Sequence, residues 1–238
     1  MSNLKYKRVL LKLSGEVLAG DVGFGHDVKV FKFILEEIKK IKELGAEVSL
    51  VIGAGNIFRG RQAKDLEIEE TNAHYMGMLA TAINAIALES YLNKNGIKSK
   101  ALSMLYLDNL IEKFSKEKAL NELENGKVLI FACGTGNPYF TTDTGASLKA
   151  IEIKADLLIK GTSVNGVYDK DPKKFEDAKF FERITCDEVL AKNLKVIDAT
   201  AISMCRDNKM PLAVYNMKEE GALVKLLQGE NVGTIVEA

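Results

Sequence analysis

Short apolar runs of strand length alternate along this chain with longer stretches whose apolar residues recur at helical spacing. Val9–Leu13 is one such run, interrupted only by Lys12; Val48–Ile52 and Val128–Cys133 are two more. Between the first two, Phe31, Ile34, Leu35, Ile38 and Ile41 predict a helix over Asp27–Leu44, with Asp27 as N-cap and Gly45 as the stop. Met76–Leu92, rich in Ala, Met and Ile, predicts a well-buried helix that stops near Gly96. A strand over Lys98–Leu102 and a polar helix over Lys116–Glu124 follow. Beyond the third apolar run come a helix at Thr142–Lys154 and a strand at Asp156–Lys160. Asn165-Gly166 then signals a tight turn between short strands. Thr185 and Glu188 form a capping-box start. Helices at Ala199–Asp207 and Gly221–Leu227 flank a strand at Leu212–Tyr215, and Thr234–Val236 reads as a last strand.

Such alternation predicts an α/β fold: an open, mostly parallel sheet with helices on both faces, a three-layer α/β/α sandwich. No Pro/Ser-rich linker, repeat or low-complexity stretch divides the 238 residues. Two lobes of one continuous sheet, 1–154 and 155–238, therefore fit better than two independent domains.

Bulk properties narrow the function classes. Lys+Arg 33 against Asp+Glu 33 leaves no basic excess, which argues against nucleic acid as a general partner. Three widely spaced cysteines, Cys133, Cys186 and Cys205, suit structural thiols in a reducing cytoplasm. Two histidines cannot build a His-rich metal site. No run approaches the roughly 18 apolar residues of a membrane span, and the charged start Met1–Arg8 leads directly into a strand. Neither a membrane nor a signal peptide is expected.

Four strand-end loops carry the candidate chemistry. Lys12-Leu13-Ser14-Gly15 places a lysine at a strand end, before a hydroxyl and a glycine. A lysine in an apolar strand is costly unless it snorkels or its charge meets an anion. Gly53-Ala54-Gly55-Asn56-Ile57-Phe58-Arg59-Gly60 suggests a dinucleotide fingerprint, but Phe58 stands where the third glycine belongs, so a Rossmann site is disfavoured. Arg59 there is either a phosphate ligand or a solvated turn residue. Gly134-Thr135-Gly136-Asn137-Pro138-Tyr139-Phe140-Thr141-Thr142-Asp143 empties a buried strand into glycines, hydroxyls, an amide and a carboxylate. Backbone N–H groups, hydroxyls and a helix start make such a loop an anion cradle, although the same residues also serve as ordinary helix caps. The fourth loop begins at Lys160-Gly161-Thr162 and continues to Tyr168 and Asp171. Tyr168 suits stacking on a base and Asp171 a ribose hydroxyl, against the alternative of a hairpin with a solvated acidic turn.

The chain contains no P-loop, no Gly-x-Ser-x-Gly elbow and no Cys/His pairing. Two lysines, one acid and several glycine loops suit phosphoryl transfer, which depends on positioned charge more than on covalent chemistry.

Lys12-Leu13-Ser14-Gly15-Glu16, Gly55-Asn56 with Phe58-Arg59-Gly60, Met76-Gly77-Met78-Leu79-Ala80-Thr81, Thr135–Asp143 and Asp198 with its flanks together resemble the bacterial-type UMP kinases of the amino acid kinase superfamily. The resemblance extends over essentially the whole chain. It implies transfer of the γ-phosphoryl group of Mg-ATP to UMP, giving UDP and ADP in pyrimidine nucleotide synthesis, with Mg2+ as the cofactor. It places Lys12, Leu13, Ser14 and Gly15 around the ATP phosphates, with Gly55 and Arg59 assisting. Lys160 would contact the transferring phosphoryl, and Thr162, Tyr168 and Asp171 would hold adenine and ribose. Asp143 would organise the two lysines, completing a catalytic set of Lys12, Asp143 and Lys160. Ala54, His74, Thr135, Gly136, Asn137, Pro138, Tyr139, Phe140, Thr141 and Thr142 would hold UMP. The stretch Gly20-Asp21-Val22-Gly23-Phe24-Gly25 resembles a segment linked to allosteric activation by GTP, and reads equally as a flexible loop. A homohexamer and feedback inhibition by UTP are also implied. No protein ligand to the metal is assigned.

Two departures stand out. Ala54 interrupts a glycine run, which is tolerable only if that residue avoids positive φ. His74 stands where the family has a ribose-binding aspartate, and either replaces it or faces solvent. Two other functions compete: a superfamily kinase acting on a carboxylate or carbamate, and a non-enzymatic storage or sensor protein. The Thr135–Thr142 signature favours UMP over the first, and the presence of Lys12, Asp143 and Lys160 argues against the second.

Overall fold

A computed structural model describes residues 4–238 of the chain, the side chain of Arg61 excepted. The first three residues of the charged start lie outside the described residues. Strand β1 (Arg8–Leu13) leads through a single-turn helix α1 (Gly15–Leu18) to α2 (Val28–Glu43). Asp27 caps α2 as expected, its carboxylate accepting from the Lys29 N–H at 2.8 Å. After β2 (Glu47–Ile52) come a short α3 (Gly60–Asp65) and the long α4 (Glu70–Lys94). Helix α4 starts six residues before the predicted Met76, because the Glu69 side chain accepts from the Thr71 and Asn72 N–H groups. Strand β3 (Ser99–Ser103), a two-residue β4 (Glu112–Lys113), α5 (Lys116–Glu124), β5 (Val128–Ala132) and α6 (Thr142–Glu152) complete the first half.

The second half begins at β6 (Leu157–Thr162) and continues through β7 (Val167–Tyr168), β8 (Phe180–Phe181), β9 (Arg183–Thr185) and α7 (Cys186–Ala191). It ends with α8 (Ala199–Asp207), β10 (Leu212–Asn216), α9 (Ala222–Gln228) and β11 (Thr234–Glu237). The capping box of Thr185 and Glu188 forms as the sequence predicts. The hairpin expected around Asn165-Gly166 takes a different form. Strand β7 pairs antiparallel with β8, twelve residues on, rather than with the strand before the turn.

Nine strands make one sheet in the order β4-β3-β5-β2-β1-β6-β10-β11-β9, parallel except where β10 meets β11. Helices α2, α4 and α9 pack together on one face, and α6, α7 and α8 on the other. Both faces are therefore covered. Val9, Leu10, Leu50, Leu129, Ile130, Leu157, Ile159 and Leu212 are fully buried. That explains why these strands read as near-continuous apolar runs.

Chain order starts at the sheet's centre. From β1 the chain crosses to β2 on one side, and later from β5 to β6 on the other. Such a reversal leaves a crevice beyond the carboxyl ends of the central strands. All four loops singled out in the sequence open there.

Candidate active site

Lys12 and Lys160 are register partners on the adjacent parallel strands β1 and β6, so their side chains leave the sheet on the same face. Two ammonium groups side by side in a largely buried place repel each other unless an anion lies between them. Asp143, in the first turn of α6, supplies it. Lys12 Nζ lies 2.6 Å from Asp143 Oδ1, and Lys160 Nζ donates to Asp143 Oδ2 at 3.0 Å. Lys160 also donates to the Val196 carbonyl at 2.6 Å. Burial pushes the Asp143 carboxyl upward, but the attraction of Lys12 and Lys160 outweighs it and holds the group below the usual carboxylate range. For Lys160 burial wins over the pull of Asp143, and its ammonium is held below the ordinary lysine value. The two lysines share the one carboxylate between them, and the Asp198 carboxylate adds a negative charge to the same recess. Two convergent ammonium groups are chemically suited to a phosphate oxygen.

Two spaces open on this cluster, and a third ends one residue short of it, at Thr142. The largest, about 980 Å³, runs between α4 and the loop before α6, with Ala54, Phe58, His74, Thr135, Tyr139 and Thr142 among its walls. A second, about 630 Å³, is bounded by Lys160, Thr162, Tyr168, Asp171 and the stretch Asn193–Val196. Between them a recess of about 380 Å³ exposes Asp143, Lys160 and Asp198. One lysine thus faces two clefts.

The loop of the large cleft is held in an unusual backbone. Cys133, Gly134, Gly136 and Tyr139 all have left-handed φ, at 65°, 55°, 81° and 67°. A Cβ on Gly136 would stand 3.0 Å from the Met104 carbonyl oxygen, so this position needs glycine on two counts. Thr141 caps α6 by accepting from the Thr144 N–H at 3.1 Å, which aims the helix start at the cluster.

Comparison with known proteins agrees with this geometry. Residues 7–216 match the model of the amino acid kinase family. The chain belongs to that family. It is 47% identical over 237 residues to uridylate kinases of Xanthomonas oryzae pv. oryzae and Xanthomonas campestris pv. campestris, covering 100% of this chain and 99% of each relative. Its fold superposes on a crystal structure of UMP kinase from Bacillus anthracis with TM-score 0.95 and 35% identity, over 98% of this chain and 96% of that one. A UMP kinase from Ureaplasma parvum gives TM-score 0.92 and 38% identity, over 99% and 100% of the two chains.

In this amino acid kinase fold most of the residues expected from sequence come together, and some take other work. Ala54, His74, Thr135, Asn137, Tyr139, Phe140, Thr141 and Thr142 line the large cleft, while Gly136 and Pro138 belong to its loop without lining it. Thr162, Tyr168 and Asp171 line the second, where the Tyr168 ring packs on Phe180 at 5.3 Å. Ala54 has no left-handed φ, so its methyl group is accommodated. The Leu13 side chain is core, and its carbonyl is taken by the Gly53 N–H at 3.0 Å. Gly15 is buried against the second glycine loop; a Cβ there would fall 2.4 Å from the Gly53 oxygen. Gly15 and Gly55 therefore let two loops touch. Ser14 opens α1 with its hydroxyl uncommitted to the cap.

Arg59 lies on a different recess from the other residues expected at ATP. Its Nε donates to the Gly55 carbonyl at 2.9 Å and its guanidinium lies 3.4 Å from Glu16, over a separate recess of about 320 Å³ shared with Gly23 and Phe24. It does not line the second cleft. The segment Gly20–Gly25 borders the same recess: Gly20, Asp21 and Val22 form one 3-10 turn, and Gly25 exchanges hydrogen bonds with Asn56.

Sequence reasoning missed two supports. Asn84, fully buried in α4, pairs its amide reciprocally with Asn56 at 2.8 and 2.9 Å and donates to the Gly53 carbonyl. Asp198 caps α8 on the Ala201 N–H at 3.0 Å and accepts from Thr141 and Thr144. A lone Asn inside an apolar helix was the available signal for the first. Only tertiary contacts reveal the second.

Proposed function

We propose that this chain transfers the γ-phosphoryl group of ATP to UMP, yielding UDP and ADP, as a step of pyrimidine nucleotide synthesis. The observation that carries this reading is Asp143 holding Lys12 and Lys160 together, next in sequence to Thr142 of the large cleft and with Lys160 on the wall of the second. The full-length likeness to uridylate kinases names the substrate. The first lobe, about 1–154, takes UMP in the large cleft, and the second, about 155–238, takes ATP. A UMP phosphate oxygen attacks the γ-phosphorus and the bond to the β–γ bridging oxygen breaks. Lys12 and Lys160 offset charge on the transferring group, and Asp143 keeps both lysines in register.

Mg2+ fits as an ion that arrives with ATP. No three His, Cys, Asp or Glu side chains converge among the described residues, so the phosphates supply most ligands. The buried Asp143 Oδ1 accepts no aligned hydrogen bond despite its closeness to Lys12, and is the carboxylate oxygen with capacity to spare. When bound, the ion neutralises phosphate charge.

Assembly and regulation follow the family. Tyr75, Met76, Leu79, Ile83 and Ile86 leave an exposed apolar stripe on α4, which supports self-association into a hexamer. The recess at Arg59, Gly23 and Phe24 is the place where GTP activation would act, with UTP as the feedback inhibitor. Three free buried cysteines, and no helix long and apolar enough to cross a membrane among the described residues, accord with a cytoplasmic enzyme.

A coupled assay tests the reading: ADP release from Mg-ATP with UMP, CMP, dUMP, carbamate and N-acetylglutamate in parallel. UMP gives the highest kcat/KM. Background rates with UMP would overturn the proposal.

A further inference from the structure

The large cleft carries one carboxylate on its described wall, that of Glu70. Glu70 is the first residue of α4 and precedes His74 by one helical turn, so both side chains share the face of α4 that borders the cleft. Its neighbour Glu69 commits both carboxylate oxygens to the helix cap, at 3.0 Å from Thr71 N and Asn72 N. The Glu70 carboxylate makes no hydrogen bond or ion pair among the described residues.

A carboxylate on the wall of a cleft that admits a phosphate repels its ligand unless it faces a neutral, hydrogen-donating part of it. The phosphate belongs at the opposite end, where Thr141 and Thr142 open α6 beside Asp143. In a nucleoside monophosphate, the neutral donors nearest the phosphate are the sugar hydroxyls. His74 can complement the carboxylate, because each ring nitrogen donates or accepts one hydrogen bond. Its ring is held from outside by Tyr139, at 5.0 Å between centroids, and the Tyr139 hydroxyl lies 3.1 Å from Thr71 Oγ1. Loop and helix thereby join around this pair. Tyr139 adopts a φ of 67° there, unusual for an aromatic residue and consistent with a functional constraint.

We propose that Glu70 and His74 together bind the sugar hydroxyls of the acceptor nucleotide and set its preference for ribose over deoxyribose. The assignment rests on reading the large cleft as the UMP site. It moves the carboxylate one helical turn toward the start of α4 from the position the family resemblance indicates.

Steady-state kinetics with UMP and dUMP at saturating Mg-ATP provide the test, on the wild type, Glu70→Gln, His74→Ala and Glu70→Asp. The wild type favours UMP over dUMP. Glu70→Gln and His74→Ala each raise KM for UMP about tenfold, the scale of one lost charge-assisted hydrogen bond. Each acts more on KM than on kcat and raises KM for dUMP less than for UMP, because dUMP offers only its 3′-hydroxyl, so the ratio shrinks toward one; Glu70→Asp recovers part of it. Circular dichroism confirms that each variant is folded. A UMP/dUMP ratio unchanged in both variants, or a wild type indifferent to the 2′-hydroxyl, would overturn the assignment and leave the kinase reading intact. A wild type that releases no ADP with UMP would instead remove the reading of the cleft, and this assignment with it.

Discussion

The hydroxyl of Thr144 stands 3.1 Å from both carboxylate oxygens of Asp198. Thr144 lies in the first turn of α6 and Asp198 is the N-cap of α8, so one carboxylate ties together the starts of two neighbouring helices. Because α6 carries Asp143, Asp198 sets where the lysine-bridging carboxylate stands. Asp198→Ala removes a cap and leaves two hydroxyls without their acceptor, a loss of about 1–3 kcal/mol. A chemical denaturation series is expected to show that loss. Turnover falls more than KM, because the misplaced group is the one that positions both lysines. Unchanged kcat in a measurably destabilised variant would restrict Asp198 to a structural role.

Asp143→Asn keeps the shape of the site and removes its only negative charge between Lys12 and Lys160. The two ammonium groups then repel without compensation, and kcat is expected to fall by about 10²-fold or more, as for other groups that align transferring charge. Lys12→Ala has a comparable effect on kcat, while far-UV circular dichroism keeps its native shape. Wild-type-like rates in both purified variants would remove these residues from the chemistry.

The pH dependence has a definite sign at each end. Asp143 is held below its ordinary value of 3.8 by Lys12 and Lys160 against the effect of burial. Its stabilising contribution is therefore complete above that value and disappears as the pH falls through the lower folded one. Lys160 is held below 10.5 by burial. Between its folded value and 10.5 the native protein releases this proton before the unfolded chain does, so the Lys160 contribution to stability rises with pH. Activity goes the other way, since the ammonium is the working form. The alkaline limb of kcat should thus lie below the free-lysine range, and Lys160→Arg, which cannot titrate there, should retain low activity with that limb removed. A limb that persists unchanged in the arginine variant would assign it to another group.

Much of this was legible in the chain because buried parallel strands announce themselves. Val9–Leu13, Val48–Ile52 and Val128–Cys133 are apolar throughout apart from Lys12 and Ser49, and each became a central strand. The odd lysine in the first run was informative for the same reason: a charge there needs a partner. What stayed hidden depends on contacts between distant segments. Nothing local in Lys12 and Lys160 says that they are register partners, and nothing in Asp198 says that it reaches Thr141 and Thr144. Helix α3 and strands β8 and β9 are too short for a periodic signal. The start of α4 was missed because glutamate is not among the preferred N-cap residues, although Glu69 does that work here. Arg59 suits a phosphate by type, and only the fold shows its contacts with Gly55 and Glu16.

The exposed stripe on α4 gives the last prediction. Leu79 and Ile83 are 45% and 51% exposed, and with Tyr75, Met76 and Ile86 they recur every three or four residues on one side of the helix. Isolated surface leucines need no explanation, but a continuous apolar stripe in water usually marks a contact surface. The other face of α4 already packs against β2, β3 and β5, so the proposed hexamer would use this side for a second copy of the chain. Placing a charge in the middle of such a symmetric contact puts two like charges close together across the two-fold axis. Ile83→Glu is therefore expected to shift sedimentation velocity profiles from the assembled form toward smaller species. Leu66→Glu, at a residue 69% exposed and outside α4, leaves the profile unchanged. If both variants sediment like the wild type, assembly uses another surface.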